Sequence, residues 1–193
     1  KLPFSENNVT FEFAALDFST MKLSLGGGTA VQAPVAERWQ KVTKSPLLQA
    51  YGLTETSPAA TINPLNLKEF NGSIGLPISS TELSIRDDDG KEVPLDQVGE
   101  ICIRGPQVMA GYWQRPEETA NVMYADGFLR TGDMGYVDHL GYFFIVDRKK
   151  DMILVSGFNV YPNEVEDVLA MHPGVLEVAA IGVAVEKTGE AVK

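Results

Sequence analysis

The sequence predicts an α/β fold joined to β structure: part of a parallel α/β subdomain, a small antiparallel β-barrel subdomain, and the beginning of a C-terminal α+β domain. Three observations support this prediction. The first third has a strand, helix, strand order, the middle third has short strands between turn residues, and the last part repeats the first order after a charged run. The predicted boundaries are residues 1–72, 73–146 and 152–193, with a hinge at residues 147–151.

The first predicted unit is a strand, a turn, a helix and a second strand. Residues 21–25 alternate as a strand does and are followed by glycines, and apolar residues recur at helical spacing from Pro34 onward. A second apolar run at residues 47–51 ends at Gly52. Because strands joined through a helix are usually parallel, this order predicts a parallel sheet.

Short strands are predicted throughout the middle third. Residues 82–86 and 91–94 flank the run Asp87-Asp88-Asp89-Gly90, which indicates a hairpin. The remaining segments expected there are two strands and one helix, at residues 100–104, 141–146 and 116–123. Together these strands predict the small antiparallel barrel, with a sandwich as the alternative.

A charged run at residues 147–151 is predicted to link the middle third to the last part of the chain. It is followed by a short strand, a turn at Ser156-Gly157 and a helix that Pro162 can begin. The helix is expected to end near residues 172–174, and a strand at residues 175–185 completes a second strand, helix, strand unit.

Composition and charge argue against several classes of function. The chain has 16 basic and 26 acidic residues, a net charge of −10, which disfavours nucleic acid as a partner and opposes tight docking on anionic lipid. The longest apolar stretch, residues 178–185, is too short to span a bilayer, so the chain is expected to be soluble.

The single cysteine and the two histidines indicate a reducing compartment and no structural zinc. Cys102 lies between two isoleucines and is expected to be a buried strand residue in a chain without disulfides, which fits the cytoplasm. His139 and His172 are far apart and have no cysteine neighbours, so a zinc site is not expected. Binding of a hard metal through carboxylates stays open.

Two glycine-containing segments are candidates for nucleotide contacts. Gly26-Gly27-Gly28 follow a predicted strand, where backbone amides can approach a flat or anionic ligand, and a tight turn is the alternative. In the segment Tyr51-Gly52-Leu53-Thr54-Glu55, the tyrosine can stack on a purine, the threonine can donate to phosphate oxygens and the glutamate can ligate Mg²⁺. Alternatively, Tyr51 belongs to the core, Thr54 caps a helix, and Glu55 is the acid in the first turn of that helix.

Two further candidates carry charge. In Thr131-Gly132-Asp133 an acid follows a glycine turn and can accept both hydroxyls of a ribose, whereas an ordinary loop aspartate would make local backbone hydrogen bonds. The run at residues 147–151 is predicted as a hinge from which Arg148 can reach a nucleotide hydroxyl or phosphate, with a solvated linker as the alternative. Ser156-Gly157 can approach a ligand closely, although a plain turn also explains the glycine.

In this order and spacing, the segments resemble the adenylate-forming superfamily of acyl-CoA synthetases, adenylation domains and luciferases. Residues 24–34 resemble its glycine-rich adenine loop, residues 51–55 its Tyr-Gly-x-Thr-Glu motif, and residues 99–113 its segment from Gly-Glu to Gly-Tyr. Residues 126–150 are similar to the fatty acyl-CoA synthetase signature, and residues 146–166 are similar to bacterial long-chain acyl-CoA synthetases.

The resemblance implies a role for each candidate residue. The implied contacts with ATP and its metal are Gly26, Gly27 and Gly28 at the adenine, Thr54 at the phosphates, Glu55 on Mg²⁺, and Asp133 and Arg148 at the ribose. The resemblance also implies that Lys150 is the hinge between domains and that Ser156 and Gly157 lie near the arm of coenzyme A. The implied substrates are a fatty acid, ATP and coenzyme A.

The implied reaction has two steps. A carboxylate attacks the α-phosphate of ATP to give an acyl-adenylate and pyrophosphate, and the thiol of coenzyme A then displaces AMP. Such chemistry depends on charge neutralisation and positioning rather than on a covalent protein nucleophile. The alternatives are an adenylation module that loads a carrier protein or keeps the adenylate, and a non-catalytic nucleotide-binding relative.

Two lysine-containing elements of the family are not found in these 193 residues: the phosphate loop and the C-terminal catalytic lysine. The chain is therefore expected to be an internal piece of the enzyme that binds adenylate weakly and does not turn over by itself. The whole enzyme is expected in the cytoplasm, with peripheral association at the inner face of the cell membrane and a homodimer as further expectations.

Overall fold

The computed structural model describes residues 21, 23–28, 31–172, 174–175, 177–185 and 187–193. Parts of several predictions lie outside the described residues. They are residues 1–20 of the first predicted subdomain, residue 22 of its first strand, residues 29–30 of the adenine loop, residue 173 at the end of the last helix and residue 176 of the last predicted strand.

A parallel strand pair joined through a helix forms the first unit, as predicted. The elements are β1 (Leu25–Gly26), α1 (Ala33–Thr43) and β2 (Leu48–Tyr51), and β1 pairs with β2 in parallel. Pro34 lies in the first turn of α1, where its missing N–H costs nothing, and the helix ends at Lys44 in a left-handed conformation. The first strand is shorter than predicted.

Two short antiparallel strands extend this sheet towards the middle of the chain. They are β3 (Thr61–Ile62) and β4 (Leu76–Pro77), which give the strand order β1-β2-β3-β4. The buried side chain of Asn63 supplies the acceptor for a backbone amide of β2: its Oδ1 accepts the amide of Gln49 at 2.6 Å. This sheet holds the end of β2, where the Tyr51 segment begins.

The second sheet is an antiparallel meander. Its strands, in sheet order, are β5 (Glu82–Arg86), β6 (Gly99–Arg104), β7 (Leu129–Val137) and β8 (Phe143–Arg148). The antiparallel prediction is confirmed, but among the described strands the sheet stays open and does not close into a barrel. The predicted strand at residues 91–94 is reduced to a single bridge between Glu92 and Arg86.

The core of the molecule lies where this meander meets the first sheet. Alternate residues of β5 and β6 point into it, because side chains in a strand alternate between its two faces. The fully buried members that pack together are Ala60, Ile74, Ile85, Ile101, Ile103 and Phe143. Cys102 is fully buried between the two isoleucines of β6, as predicted. The helix α2 (Pro116–Val122) lies on the surface before β7.

The last part of the chain forms a third sheet with one helix. Its elements are β9 (Ile153–Val155), β10 (Phe158–Val160), α3 (Pro162–Ala170), β11 (Gly182–Val185) and β12 (Gly189–Val192). The strand order is β10-β9-β12-β11 and all neighbours are antiparallel. The strands β9 and β11 of the predicted unit therefore run parallel, but β12 lies between them.

None of the helices in the described part of the chain is long and apolar enough to cross a membrane. The longest of them, α1, has 11 residues.

Candidate functional site

A bulge in β7 forms the centre of the candidate site. Arg130 pairs with Cys102 and Met134 pairs with Glu100, so the three residues between them, Thr131, Gly132 and Asp133, lie opposite Ile101 alone. The Thr131 hydroxyl donates to the Ile101 carbonyl at 2.7 Å and accepts the amide of Asp133 at 3.0 Å. The alternative of an ordinary loop aspartate is therefore wrong: the acid lies inside a nine-residue strand, where the extra residues of the bulge re-aim a side chain.

Asp133 is a buried carboxylate held from two sides. The Tyr51 hydroxyl donates to its Oδ2 at 2.7 Å, and Arg148 Nε lies 3.5 Å from its Oδ1. Asp133 and Arg148 are also direct cross-strand partners in β7 and β8. Burial raises the pKa of Asp133, while Tyr51 and Arg148 oppose that rise. The arginine side chain remains 60% exposed, so it can reach a ligand while it faces the carboxylate.

Tyr51 belongs partly to the core. Its ring packs against the buried cluster that joins the two sheets, and its hydroxyl is bound to Asp133. Burial and the neighbouring charge of Asp133 raise the pKa of Tyr51, so the phenol stays protonated as a donor. The ring is half-buried, and stacking of a purine on it stays a prediction.

The segment after Tyr51 forms one turn of 3-10 helix, Thr54–Thr56. Thr54 is exposed, and Glu55 is half-buried in the first turn. Thr56 makes the structural contacts: its fully buried hydroxyl accepts the Leu53 amide at 2.9 Å and lies 2.8 Å from the Pro58 carbonyl. The interpretation of Thr54 as the helix cap is therefore wrong. Leu53 occupies the cap position, the Thr56 hydroxyl accepts its amide, and Thr54 faces solvent.

Glu55 and the bulge share one cavity. The cavity has a volume of about 330 Å³ and its walls include Leu53 and the polar residues Glu55, Glu100, Tyr112, Arg130, Thr131 and Gly132. The Tyr112 hydroxyl donates to Glu55 Oε1 at 2.9 Å, and this hydrogen bond raises the pKa of Tyr112. The structure thus brings residues of the Tyr51 segment and the bulge to the same place, although 70 or more positions separate them along the chain.

Glu100 was not singled out from the sequence, although it lies in a quoted motif. Its side chain is buried, and its Oε1 accepts the Gly132 amide at 3.1 Å. Its Oε2 lies 3.0 Å from Arg130 Nη2 and 3.3 Å from Lys149 Nζ. An acid directly before the apolar run at residues 101–103 is the signal that could have found it, because a charge buried in such a strand needs partners. Tyr112 lies in the same motif and was missed for lack of any charge.

Two glycines let backbone segments approach each other beside the site. A Cβ at Gly27 would lie 2.9 Å from the Ala50 carbonyl oxygen, so the glycine segment lies against β2. A Cβ at Gly52 would overlap the carbonyl oxygen of Pro58. The glycine segment is therefore next to the strand that ends at Tyr51, and Gly52 is required for the packing of the loop that follows.

The charged run includes one buried residue. Asp147 is 5% exposed, and its Oδ2 accepts the amide of Asn163 in the first turn of α3 at 3.0 Å. Alternating charge was expected to keep the whole run out of the interior, so Asp147 is an exception. Its carboxylate accepts a free amide at a helix N-terminus, and this contact offsets the cost of its burial. Lys149 contacts Asp88 and Glu100, whereas Lys150 is exposed.

Ser156 and Gly157 form the two-residue turn between β9 and β10. Both have positive φ, 51° and 86°, as a tight hairpin turn requires. Both are exposed, and neither they nor Lys150 are among the residues that line the cavity at Glu55. The structure therefore does not place these three residues in the wall of that cavity, and their roles stay predictions.

The donor set around Glu55 fits a magnesium ion that is bound mainly through a nucleotide. No group of three or more histidine, cysteine, aspartate or glutamate side chains that could hold a metal occurs in the described part of the chain. Magnesium is usually bound by one or two carboxylates together with phosphate oxygens and water. Glu55, which borders the cavity, can supply such a carboxylate.

Known proteins are similar to this chain over nearly all of its length. The model of the AMP-binding enzyme family matches residues 4–113. A long-chain-fatty-acid–CoA ligase from Yersinia pestis is 60% identical over 182 residues, which cover 94% of this chain and 32% of the ligase. A fatty acid–[acyl-carrier-protein] ligase, ScoC, from Streptomyces coeruleorubidus is 41% identical over 180 residues, which cover 91% of this chain and 34% of ScoC.

A solved structure carries the same fold. ATP-bound MatB from Rhodopseudomonas palustris matches with a TM-score of 0.84 at 38% identity, over 88% of this chain and 34% of MatB. The fold is thus that of adenylate-forming enzymes. This chain belongs to the AMP-binding enzyme family, whose model matches more than half of it. It spans about a third of the length of the curated relatives that it matches.

Proposed function

We propose that this chain is the nucleotide-binding segment of an AMP-forming ligase that activates a long-chain fatty acid and joins it to coenzyme A. One observation carries the proposal: Asp133 is held between Tyr51 and Arg148 on a bulge that borders the same cavity as Glu55. A buried carboxylate beside an exposed guanidinium suits the hydroxyls of a ribose, and a second carboxylate across a cavity suits a metal bound to phosphates.

Each candidate residue has a stated task in this proposal. Asp133 accepts hydrogen bonds from the ribose hydroxyls, and Arg148 donates to the ribose or to a phosphate. Thr54, which is exposed and directly precedes Glu55, donates to phosphate oxygens, and Glu55 in the cavity wall holds Mg²⁺. The backbone at Gly26, Gly27 and Gly28 and the segment at Tyr51 and Gly52 form the adenine end of the site.

The chemistry needs positioning and charge neutralisation. The fatty-acid carboxylate attacks the α-phosphorus. The bond from that phosphorus to the oxygen that bridges it to the β-phosphorus breaks, and pyrophosphate leaves with the electron pair of this bond. Magnesium, when bound, neutralises charge on the phosphates. In the second step the thiolate of coenzyme A attacks the acyl carbon and AMP leaves. The residues of this chain hold the nucleotide fixed during both steps and need not form a covalent bond themselves.

Lys150 is proposed as the hinge that allows a change between the two steps. The residues around it support this proposal in one respect: Lys150 is exposed, while Asp147 and Lys149 on either side of Arg148 are tied to α3 and to Glu100. Rotation at Lys150 would keep the contact between Lys149 and Glu100, because both residues precede the hinge, but it would break the contact between Asp147 and α3, which spans it. Ser156 and Gly157, on the exposed turn beyond the hinge, are proposed to approach the arm of coenzyme A.

A second candidate function is transfer of the acyl group to a carrier protein. The 41% identity to a fatty acid–[acyl-carrier-protein] ligase supports this second function, because the first step would be the same and only the thiol acceptor would differ. Full-length protein with a long-chain fatty acid, ATP and Mg²⁺ should be offered coenzyme A or a phosphopantetheinylated carrier protein in parallel. Thioester formation with the carrier protein alone would favour this second function.

The direct test of the first step is release of pyrophosphate by the full-length protein, with Asp133→Ala as the variant. We expect the KM for ATP to rise at least about tenfold, because the ribose loses a charged acceptor. Asp89→Ala is the matched control, since Asp89 is an exposed acid in a turn whose side chain is 79% exposed. Equal nucleotide binding by wild type and Asp133→Ala would contradict the ribose assignment. Binding without pyrophosphate release would favour a non-catalytic relative.

Location and assembly belong to the same proposal. A cytoplasmic enzyme that meets its fatty acid at the inner face of the membrane would distribute between soluble and membrane fractions in a salt-dependent way. Cell fractionation at two salt concentrations tests the membrane association, and light scattering of the purified protein tests the homodimer.

A further inference from the structure

Glu100 lies at the junction of the two strands that carry the proposed ribose contacts. Its Oε1 accepts the amide of Gly132, which directly precedes Asp133, and its Oε2 contacts Lys149, which directly follows Arg148. Each of the two residues proposed to hold the ribose is therefore one position away from a group bound to Glu100. The Lys149 amide also donates to the Gly132 carbonyl at 2.8 Å, which closes the contact between the two strands.

The bulge needs such a partner. Where residues 131–133 face Ile101 alone, the regular ladder of hydrogen bonds between β6 and β7 is interrupted. The Gly132 amide instead donates to a carboxylate from the neighbouring strand, and hydrogen bonds to charged groups are stronger than those between neutral groups. The amide of the central residue of the bulge is thus held by a side chain that is itself 3% exposed.

Positive charge around Glu100 makes its burial possible. Arg130 Nη2 lies 3.0 Å from the Oε2 atom and Lys149 Nζ lies 3.3 Å from it. A buried carboxylate with two cations and one backbone amide is a satisfied group and does not need a ligand of its own.

We propose that Glu100 is a positioning residue of the nucleotide site: it fixes the Gly132 amide and Lys149 so that Asp133 and Arg148 face the same ribose. The inference rests on the proposed function. Glu100 acts through Asp133 and Arg148, so its removal should weaken nucleotide binding without a direct effect on the fatty acid. A residue that served only to stabilise the sheet would instead lower stability and leave the affinity of the folded protein for ATP unchanged.

The test compares four forms of the full-length protein: wild type, Glu100→Ala, Asp133→Asn and the double variant. Glu100→Ala should raise the KM for ATP about tenfold and leave the KM for the fatty acid within about twofold. In the double variant, the effect of losing Glu100 should be smaller than in wild type, because the part of it that acts through the Asp133 carboxylate is already absent. Glu100→Gln keeps an oxygen that can accept the Gly132 amide, so its KM for ATP should rise by only about threefold.

A control variant separates positioning from stability. Arg86 is another buried charge on the same meander, 7% exposed; it lies opposite Glu100 in the pairing of β5 with β6, but its ion pair is with Asp126, outside the bulge. Arg86→Met should lower the thermal midpoint yet leave the KM for ATP within about twofold. If Glu100→Ala is too unstable to purify, Glu100→Gln and equilibrium binding of ATP to its folded form decide the question.

The outcomes distinguish this inference from the proposed function. If Asp133→Asn and Asp133→Ala both bind ATP as wild type does, the ribose assignment fails. If the Asp133 variants lose affinity but Glu100→Ala and Glu100→Gln keep it, only the positioning role is refuted. Independent, additive effects of Glu100→Ala and Asp133→Asn would also refute it, as would an equal rise in the KM of both substrates.

Discussion

The Tyr51 hydroxyl donates to Asp133 Oδ2 across 2.7 Å, between residues that are 82 positions apart in the chain. This hydrogen bond joins the end of β2 in the first sheet to the bulge in the second sheet. Because both residues are anchored in the core or in a strand, the acid does not depend on a flexible loop for its position. The relative placement of the two sheets therefore determines the geometry of the proposed nucleotide site.

Tyr51→Phe should weaken ATP binding while the protein stays folded. The variant removes only the hydroxyl, so Asp133 loses a donor that favours its charged form, and its pKa rises further. We expect the KM for ATP to rise about three- to tenfold at neutral pH, and the acid limb of the pH profile to move to higher pH. A pH profile of kcat/KM for ATP measures both effects. An acid limb that is identical in wild type and variant would contradict the coupling.

Asp133→Asn should stabilise the protein and weaken its function. Burial raises the pKa of Asp133 above its ordinary value of 3.8, so the fold favours the neutral carboxyl group. The stability that the neutral carboxyl group contributes is fully present below its ordinary pKa and is lost as pH rises through the raised pKa. The ionised acid therefore costs stability at neutral pH. The thermal midpoint of the variant should exceed that of wild type at pH 7 by about 2–4 °C for each kcal/mol gained.

The same comparison at low pH is its control. Below the ordinary pKa both side chains are neutral, and the difference in thermal midpoint should disappear. A difference that is the same at both pH values would show that packing, rather than charge, accounts for it.

Thr54 and Thr56 should respond in opposite ways to replacement by valine. Thr56 is fully buried and its hydroxyl is bound to backbone groups, so Thr56→Val should cost about 1–3 kcal/mol of stability. Thr54 is exposed, so Thr54→Val should change stability by less than about 0.5 kcal/mol. If Thr54 binds phosphate, that variant should lose about ten- to a hundredfold in kcat/KM. Chemical denaturation and steady-state kinetics of the two variants form a matched pair.

Glu55→Gln should raise the requirement for magnesium. The amide keeps the shape and the hydrogen bond from Tyr112 but removes the charge, so the midpoint of a magnesium titration of activity should rise about tenfold. Tyr112→Phe leaves the carboxylate intact and should shift that midpoint by less than about threefold. Magnesium titration curves that coincide for wild type and Glu55→Gln would rule out Glu55 as the metal ligand.

Local sequence signals predicted the elements that are held by local interactions. The helices α1, α2 and α3 each begin with proline in the first turn, and the patterns at β2, β5 and β6 predicted their strands to within about a residue or two. A turn such as Ser156-Gly157 is likewise a property of two residues. These signals need no knowledge of the rest of the chain.

The bulge at Thr131–Asp133 could not be predicted in this way. Glycine beside an acid indicates a turn locally, and only the pairing of β7 with both β6 and β8 makes it part of a strand. The partners of Asp133 and the position of Glu100 depend on the same pairing. Thr54, Glu55, Asp133 and Arg148 were named from residue chemistry and resemblance, but the contacts that hold them come from long-range packing.

The buried thiol of Cys102 makes this segment a convenient background for chemical labelling. It is the single cysteine of the chain, and burial together with Glu100 raises its pKa to about 12, so almost no reactive thiolate is present at neutral pH. Maleimide dyes should therefore leave the native segment unmodified. A Lys150→Cys variant would place one reactive group at the exposed position proposed as the hinge, where a fluorophore could report its motion.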